Sequence, residues 1–233
     1  EIYTLSLHDA LPICVELAES WMAKGFDAVK FATVVSYNGD IAEMAALRKA
    51  LGPKVAIMAD LHWRFHAVDA VKQIREMNEY CLALAEAPVH PQDIEGQAFV
   101  TAHCGTDVGI GEEIRNEFDF RERFVRRCMS VAQPEMGRLG ISSFWNIAQM
   151  ARTFHCAVMP HASIGVGIFL AASVVASSAV QDLPYHEYQH SIMEKTLAFM
   201  ETDMVCEKGY YQVPTGNGIG IEPKSKLFDY VMK

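Results

Sequence analysis

The sequence predicts an α/β fold of the TIM (β/α) barrel type, and three observations support it. Apolar segments of strand length alternate with helical segments along the chain. Acidic residues follow three successive apolar runs at one interval of 26 positions, Asp60 after KVAIMA, Glu86 after CLALA and Glu112 after DVGIG. This interval corresponds to about one strand, one helix and two loops. The length of 233 residues falls just short of the roughly 250 residues of an eight-unit barrel, so one domain is expected.

Each element can be assigned from hydrophobic periodicity and from Gly or Pro stop signals. The predicted helices are 15–24, 40–51, 67–79, 91–101, 118–127, 141–153, 165–178 and 191–199. The predicted strands are 27–34, 55–60, 81–86, 106–112, 129–135, 156–161 and a weak one at 183–187. Seven strands after an initial helix predict a barrel lacking its first strand, followed by a turn-rich C-terminal tail over 207–223. A doubly wound open sheet is the alternative. The barrel is preferred because polar residues follow many of the predicted strands, whereas an open sheet concentrates its site at one switch point.

Composition disfavours several kinds of partner. A net charge of −9, a pI near 5.5 and the absence of a basic run argue against nucleic acid and anionic membranes. The longest apolar stretch, around 165–180, is interrupted by Gly and Ser and is short for a membrane span. Six cysteines without a C-x-x-C pair favour a reducing, cytoplasmic setting. A small molecule is therefore the expected ligand.

Residues 1–13, EIYTLSLHDALPI, match none of the patterns that follow. They are similar to an in-frame translation of a common short-read sequencing adapter, so we interpret them as a non-native scar. A genuine N-terminal strand is the alternative. Residues 14–233 then form the predicted domain, and the native N-terminus is expected to be missing.

The three regularly spaced carboxylates predict a metal site. Parallel barrel strands bring their carboxyl ends to one face, where three carboxylates side by side require a neutralising cation. Asp60, Glu86 and Glu112 offer hard oxygen ligands, which suit Mg²⁺. For any single residue a helix N-cap or a solvated strand end is an equally good interpretation, but three at equal spacing favour the metal.

Two histidines are expected on the same face. His62 follows Asp60 by two positions, which on a strand would direct both side chains to the same side, and His161 ends the strand CAVMPH. Both can exchange protons near neutral pH. Glu135 ends the preceding strand, where its carboxylate could orient the His161 ring. Lys30 at another strand end could instead suggest a Schiff-base aldolase, but neighbouring carboxylates would keep that lysine protonated.

Over nearly all of residues 15–233 the chain resembles the barrel domain of the enolase superfamily, in its mandelate-racemase-like branch. The resemblance lies in an ordered set of segments: VKFA, ADLHW, LAEAP, GIGEE, the QPE strand followed by Gly137 and Gly140, MPHASIG and TGNGIGIEP. It implies that Asp60, Glu86 and Glu112 bind Mg²⁺, which would hold a substrate carboxylate and stabilise an enediolate. It also implies that His161, paired with Glu135, is the general base.

The resemblance implies two further roles and shows two departures. Glu187 would hydrogen-bond the substrate carboxylate, and Lys30 would orient or neutralise it. Racemases of this branch carry Lys-x-Lys on the second strand, whereas this chain has Lys30-Phe31-Ala32, which disfavours a two-base racemisation. The family partner of the base is usually Asp, one methylene shorter than Glu135.

The Asp60-Leu61-His62 pattern is similar to that of the sugar-acid dehydratases of the branch, in which such a histidine protonates the departing hydroxyl. The predicted function is Mg²⁺-dependent dehydration of an aldonic or aldaric acid to a 2-keto-3-deoxy acid, a hydro-lyase reaction. An epimerase, racemase or cycloisomerase of the same superfamily is the alternative. Another is an inactive truncated fragment, because the family's N-terminal capping domain is absent from this chain. The full-length protein is expected to be a homo-oligomer.

Overall fold

The computed structural model of the protein describes residues 10–36, 39–161, 167–190 and 192–230. Contacts between backbone positions divide the chain into two compact units. The first runs to Gly109 and includes Arg126–Ser130. The second contains Ile110–Val125 and the chain from Val131 onward. Each unit is described by itself.

The first unit is a parallel sheet with a helix between successive strands. Its strands, in spatial and chain order, are β1 Ala28–Ala32, β2 Ala56–Asp60, β3 Leu82–Glu86 and β4 Asp107–Ile110, of which the last residue belongs to the second unit. Its helices are α1 Ala10–Met22, α2 Asp40–Leu51, α3 Ala67–Asn78 and α4 Ile94–His103, with a short 3-10 helix at Thr33–Val35. The strand register places Asp60 beside Glu86, so two predicted metal ligands are direct neighbours.

Hydrophobic periodicity explains how these helices cover the sheet. Helix α3 buries Ala70, Val71, Ile74 and Met77, which share one helical face. Helix α4 starts where the Asp93 side chain accepts a hydrogen bond of 2.9 Å from the Gly96 amide, as an N-cap. The fully buried side chains at the centre of this unit come from helices and strands alike: Met44, Leu47, Ile57, Leu61, Ile74, Met77 and Leu84.

The second unit combines two short parallel strands with helices and a C-terminal tail. Its elements are α5 Glu117–Val125, β5 Val131–Ala132, α6 Met136–Thr153, β6 Ala157–Val158, α7 Ile168–Ser177, α8 Met193–Leu197, β7 Met200–Thr202, β8 Cys206–Glu207, β9 Tyr210–Tyr211, β10 Ile221–Pro223 and a 3-10 helix at Ser225–Tyr230. Strands β5 and β6 pair in parallel, whereas β7 with β10 and β8 with β9 form antiparallel pairs. The tail packs onto α7 through a buried apolar cluster that includes Leu170, Val174, Met193, Met200 and Ile221.

Most predicted elements are confirmed, and one strand is wrong. Residues 183–187 form no strand, and Pro184, which has no amide hydrogen, interrupts this segment. Strands β5 and β6 are shorter than predicted because Pro134 and Pro160 follow them. The tail supplies β9 and β10, which form small antiparallel pairs with β8 and β7 and which its Gly and Pro content concealed.

Several helix boundaries differ from the prediction by a few residues, and the largest differences are at the starts of α6 and α1. Helix α6 contains an additional turn, 136–139, before the predicted start at 141, because the Glu135 carboxylate accepts a hydrogen bond from the Gly137 amide as an N-cap. Gly140, with φ +70°, is not helical and separates this turn from the helix predicted at 141–153, which is confirmed. Helix α1 begins at Ala10, within the segment interpreted as a scar; residues 1–9 lie outside the described chain. Among the described residues, none of the helices combines the length and apolarity required for a membrane span.

Candidate active site

In the first unit, a buried carboxylate is neutralised by a lysine. Glu86 at the end of β3 is 1% exposed. Lys30 on β1 donates to both of its carboxylate oxygens, with Nζ 2.9 Å from Oε1 and 2.8 Å from Oε2. A buried carboxylate is costly unless a positive charge compensates it, and the Lys30 ammonium supplies that charge. The lysine predicted to act on a substrate carboxylate therefore contacts a predicted metal ligand.

His62 lies beside Asp60, but not for the predicted reason. Strand β2 ends at Asp60, and the alternation of side chains ends with it, since His62 (φ +47°) and Trp63 (φ +59°) have left-handed backbones. In this turn the His62 amide donates to Asp60 Oδ1 at 2.9 Å, and His62 Nδ1 lies 3.6 Å from Asp60 Oδ2. The ring centres of His62 and Trp63 lie 4.5 Å apart. Two adjacent left-handed residues other than Gly are strained, which requires firm support from their surroundings.

That support comes from both sides of the turn. The Trp63 amide donates to the Ala87 carbonyl at 2.7 Å. The Arg64 guanidinium donates to the Thr33 carbonyl at 2.8 Å and to Asp40 Oδ1 at 3.2 Å. Arg64 therefore anchors the loop that carries His62.

In the second unit, three carboxylates surround one histidine. His161 Nδ1 lies 2.5 Å from Glu135 Oε2, and its Nε2 lies 2.8 Å from Glu112 Oε2. Glu187 Oε2 is 3.9 Å from Nε2. Glu112 follows β4, Glu135 caps α6, His161 follows β6, and Glu187 lies in the segment that was predicted to be a strand. Four predicted site residues thus meet within one unit.

This environment stabilises the protonated ring. Burial by itself lowers the pKa of His161, but the hydrogen bonds with Glu112 and Glu135 and the charge of Glu187 outweigh it and raise that pKa to about 10. An imidazole whose Nδ1–H is held by a carboxylate presents Nε2 for proton exchange, with a fixed ring orientation. The arrangement is chemically suited to moving a proton at Nε2.

A buried carboxylate that the sequence analysis did not single out lies next to Glu112. Both oxygens of Glu113 are inaccessible to solvent and have no hydrogen-bond partner among the described residues. Burial raises the pKa of Glu113, against the opposing charges of Arg123 and Arg138. Its position after Glu112 in GIGEE gave no signal of burial.

The main chain of Glu187 is held by residues that the prediction also missed. Its carbonyl accepts a hydrogen bond from Tyr211 Oη at 2.9 Å and lies 3.0 Å from His186 Nδ1. His186 Nε2 lies 2.8 Å from Ser173 Oγ. Adjacency to Glu187 could have pointed to His186, but nothing in the sequence relates Tyr211 or Ser173 to this position.

The described residues contain no group of three or more His, Cys, Asp or Glu side chains that could hold a metal ion. Asp60 and Glu86 are neighbours in the first unit, whereas Glu112 contacts His161 in the second. The convergence of all three carboxylates remains a prediction. The donor chemistry nevertheless fits Mg²⁺, because all three side chains offer oxygen and Glu86 already binds a cationic group.

Parallel strands that alternate with helices and carry acidic and histidine side chains beyond their carboxyl ends define an α/β protein of the TIM-barrel class. Within that class the chain belongs to the Enolase C-terminal domain-like family, which matches residues 14–227. This result confirms the predicted superfamily and fold class.

The chain is also similar to individual proteins, including two sugar-acid dehydratases and a solved structure. The chain is 26% identical to D-xylonate dehydratase of Haloferax volcanii, over 76% of this chain and 43% of that protein. It is 28% identical to D-galactonate dehydratase of Ralstonia pickettii, over 78% of this chain and 49% of that protein. A solved structure from Sinorhizobium meliloti, provisionally described as an isomerase, is 46% identical with a TM-score of 0.90, over 92% of this chain and 56% of that one. Further matches include a 3,6-anhydro-α-L-galactonate cycloisomerase, a D-galactarolactone cycloisomerase and a solved structure described as a racemase. The chain thus spans less than half of the two dehydratases.

Proposed function

We propose that the full natural protein dehydrates an aldonic or aldaric acid to a 2-keto-3-deoxy acid. The observation that carries the proposal is His161, fixed at Nδ1 by Glu135 and presenting Nε2 among acidic groups. A second imidazole, His62, lies beside Asp60 at another strand end. Dehydration requires one group that removes an α-proton and one that protonates a leaving hydroxyl, and this chain offers a candidate for each.

The carboxylates of Asp60, Glu86 and Glu112 would hold Mg²⁺. When bound, the ion supplies positive charge that stabilises the negative charge developing on the substrate carboxylate. Glu187 would hydrogen-bond the same carboxylate, and Lys30 would compensate the charge of Glu86.

The chain's own residues then carry the protons. In its neutral form, His161 accepts the α-proton at Nε2, while Glu135 holds Nδ1–H and stabilises the imidazolium that results. The electron pair of the broken C–H bond forms a C2–C3 double bond as the C3–O bond breaks. His62 donates a proton to that oxygen, which leaves as water, and the resulting enol becomes the 2-keto acid.

Isomerisation is the second candidate, favoured by the Sinorhizobium meliloti structure at 46% identity. An epimerase or cycloisomerase would share α-proton removal by His161 but would not form a 2-keto acid from an open-chain sugar acid, because an isomerisation expels no water. The single lysine of Lys30-Phe31-Ala32 supports neither a Lys-x-Lys base nor a two-base racemisation that uses it.

The decisive experiment is a Mg²⁺-dependent screen for 2-keto acids on a panel of aldonic and aldaric acids, in ²H₂O. It compares the full natural protein, the 233-residue chain and the variants His161→Asn and His62→Asn. His161→Asn should abolish keto acid formation and α-proton exchange, whereas His62→Asn should abolish only the former. His66→Asn, at an exposed helix N-cap without a side-chain cap bond, serves as the matched control.

Each outcome assigns a different function. Keto acid from the full protein and none from the 233-residue chain would show that this chain is an inactive fragment of a dehydratase. Exchange without keto acid would move the function to an epimerase or cycloisomerase. Neither product nor exchange from the full protein would refute the proposal.

A further inference from the structure

The main chain of Glu187 is held from two directions. Its amide donates to the carbonyl of Pro160 at 3.4 Å, immediately before His161. Its carbonyl accepts from Tyr211 Oη at 2.9 Å and lies 3.0 Å from His186 Nδ1. Residues 180–190 contain no helix or strand, so these bonds replace regular secondary structure in fixing the position of Glu187.

The hydrogen-bond partners determine the tautomer of His186. A carbonyl oxygen can only accept, so Nδ1 must carry a proton to bond with Glu187. In the neutral ring Nε2 is then an acceptor, and the Ser173 hydroxyl donates to it at 2.8 Å. Ser173 is fully buried, which prevents it from acting as a nucleophile on a substrate. Burial also lowers the pKa of His186, in agreement with a neutral ring.

Tyr211 connects this arrangement to the C-terminal tail. It lies on β9, opposite Cys206 of β8. Burial raises the pKa of its phenol, which therefore stays protonated and donates. Its ring meets His186 edge to face, with ring centres 5.1 Å apart. The two donors to Glu187 thus also pack against each other.

We propose that Tyr211 and His186, with Ser173 behind His186, are positioning residues that fix the Glu187 carboxylate beside His161. We call these three residues the Glu187 clamp. Through Tyr211, the antiparallel pair of β8 and β9 contributes to the active site although it carries no catalytic residue. The inference rests on the proposed function, in which Glu187 contacts the substrate carboxylate.

The position of Glu187 should affect the reaction rate, because a hydrogen bond to a developing charge is effective only over a short distance. Glu187 Oε2 lies 3.9 Å from His161 Nε2, a spacing that leaves room for a reacting group to contact both. A displacement of about 1 Å of a positioned group can reduce a rate by about two orders of magnitude. Loss of one of two donors to the Glu187 carbonyl should therefore reduce turnover while substrate binding is largely retained.

The test uses the full natural protein with the variants Tyr211→Phe, Glu187→Gln and their combination. Tyr211→Phe should lower kcat about tenfold with KM changed less than about threefold. In the Glu187→Gln background the same substitution should change kcat less than about twofold, because Tyr211 acts through Glu187. Tyr210→Phe, on the same strand at a residue that is 71% exposed, is the matched control and should be fully active.

Additive losses in the double variant, or an undiminished kcat in Tyr211→Phe, would overturn the proposal. If Tyr211→Phe does not fold, Ser173→Ala takes its place in the same cycle, with a smaller expected loss. If the reference protein forms no keto acid, the proposed function fails, and the cycle is repeated on α-proton exchange.

One readout is independent of any activity. Long-range ¹H–¹⁵N spectra of the histidine rings, assigned with His186→Gln, should show His186 protonated at Nδ1. Protonation at Nε2 would remove the bond to the Glu187 carbonyl and refute the clamp, even in an enzyme that proves to be a dehydratase.

Discussion

Replacement of Arg48 by methionine should destabilise the first unit. Arg48 lies in the last turn of α2, and its guanidinium donates to four backbone carbonyls. Nε lies 2.9 Å from the Tyr80 oxygen, Nη1 lies 2.6 Å from that of Gly52 and 2.8 Å from that of Val55, and Nη2 lies 3.0 Å from that of Cys81. One side chain therefore joins the end of α2 to the segments that lead into β2 and β3.

The magnitude follows from the three partly buried bonds, to Tyr80, Gly52 and Val55. About 1 kcal/mol for each gives a loss of about 3 kcal/mol in the free energy of unfolding. For a domain of about 200 residues that unfolds as one unit, such a loss lowers the unfolding temperature by roughly 6 to 12 °C. Methionine keeps the apolar stem, so the measured loss reports the hydrogen bonds rather than the packing.

Thermal unfolding of the full natural protein, followed by circular dichroism, measures this effect. Arg48→Lys should show an intermediate loss, since a single ammonium cannot reach carbonyls on three segments. Lys49→Met, at the next and exposed position, is the control and should change stability by less than about 0.5 kcal/mol. A loss below about 1 kcal/mol in Arg48→Met would refute the assignment of Arg48 as a structural link.

Gly111→Ala should lower the free energy of unfolding by at least about 2 kcal/mol, because φ is +152° and an added Cβ would lie 2.7 Å from the Gln133 carbonyl oxygen. Gly105→Ala is the control, because no atom lies near the added Cβ, and it should cost about 1 kcal/mol. Chemical denaturation of both variants measures the difference. Burial lowers the pKa of His186 in the folded protein, so below about pH 6.5 this residue binds a proton more readily in the unfolded chain. The free energy of unfolding should therefore fall as the pH drops toward 5. A pH series of unfolding temperatures should show a smaller fall in His186→Gln, and identical slopes would contradict the shift. Mg²⁺ at about 100 times its Kd should stabilise the full protein by about 2.7 kcal/mol, an effect that thermal unfolding should show to be reduced in Asp60→Asn.

Hydrophobic periodicity predicted the helices and strands well where start and stop residues adjoin them in the sequence. The bounds 40–51 of α2 follow from Asp40 at one end and Gly52-Pro53 at the other, and the structure confirms both. The weak strand predicted at 183–187 was wrong, because Pro184 has no amide hydrogen to contribute to a strand ladder. The early start of α6 depended on Glu135 as an N-cap, a role hidden by its place in a predicted strand.

The candidate site was predicted as residue types near strand ends, not as contacts. Alternation along a strand placed His62 beside Asp60 on an incorrect premise, since two left-handed residues turn the chain there. Backbone strain of this kind has no periodic signature, so the sequence could not reveal it.

The amino-acid sequence alone was sufficient to predict the order of strands and helices, the superfamily, and the acidic and histidine residues that follow the strands. These depend on periodicity and on short segments, which are local properties of the chain. The contacts of Lys30 with Glu86, of His161 with Glu112 and Glu135, and of Tyr211 with Glu187 became visible only in the folded chain. Such hydrogen bonds join residues far apart in sequence and require positions accurate to a few tenths of an ångström, which packing fixes and composition does not encode.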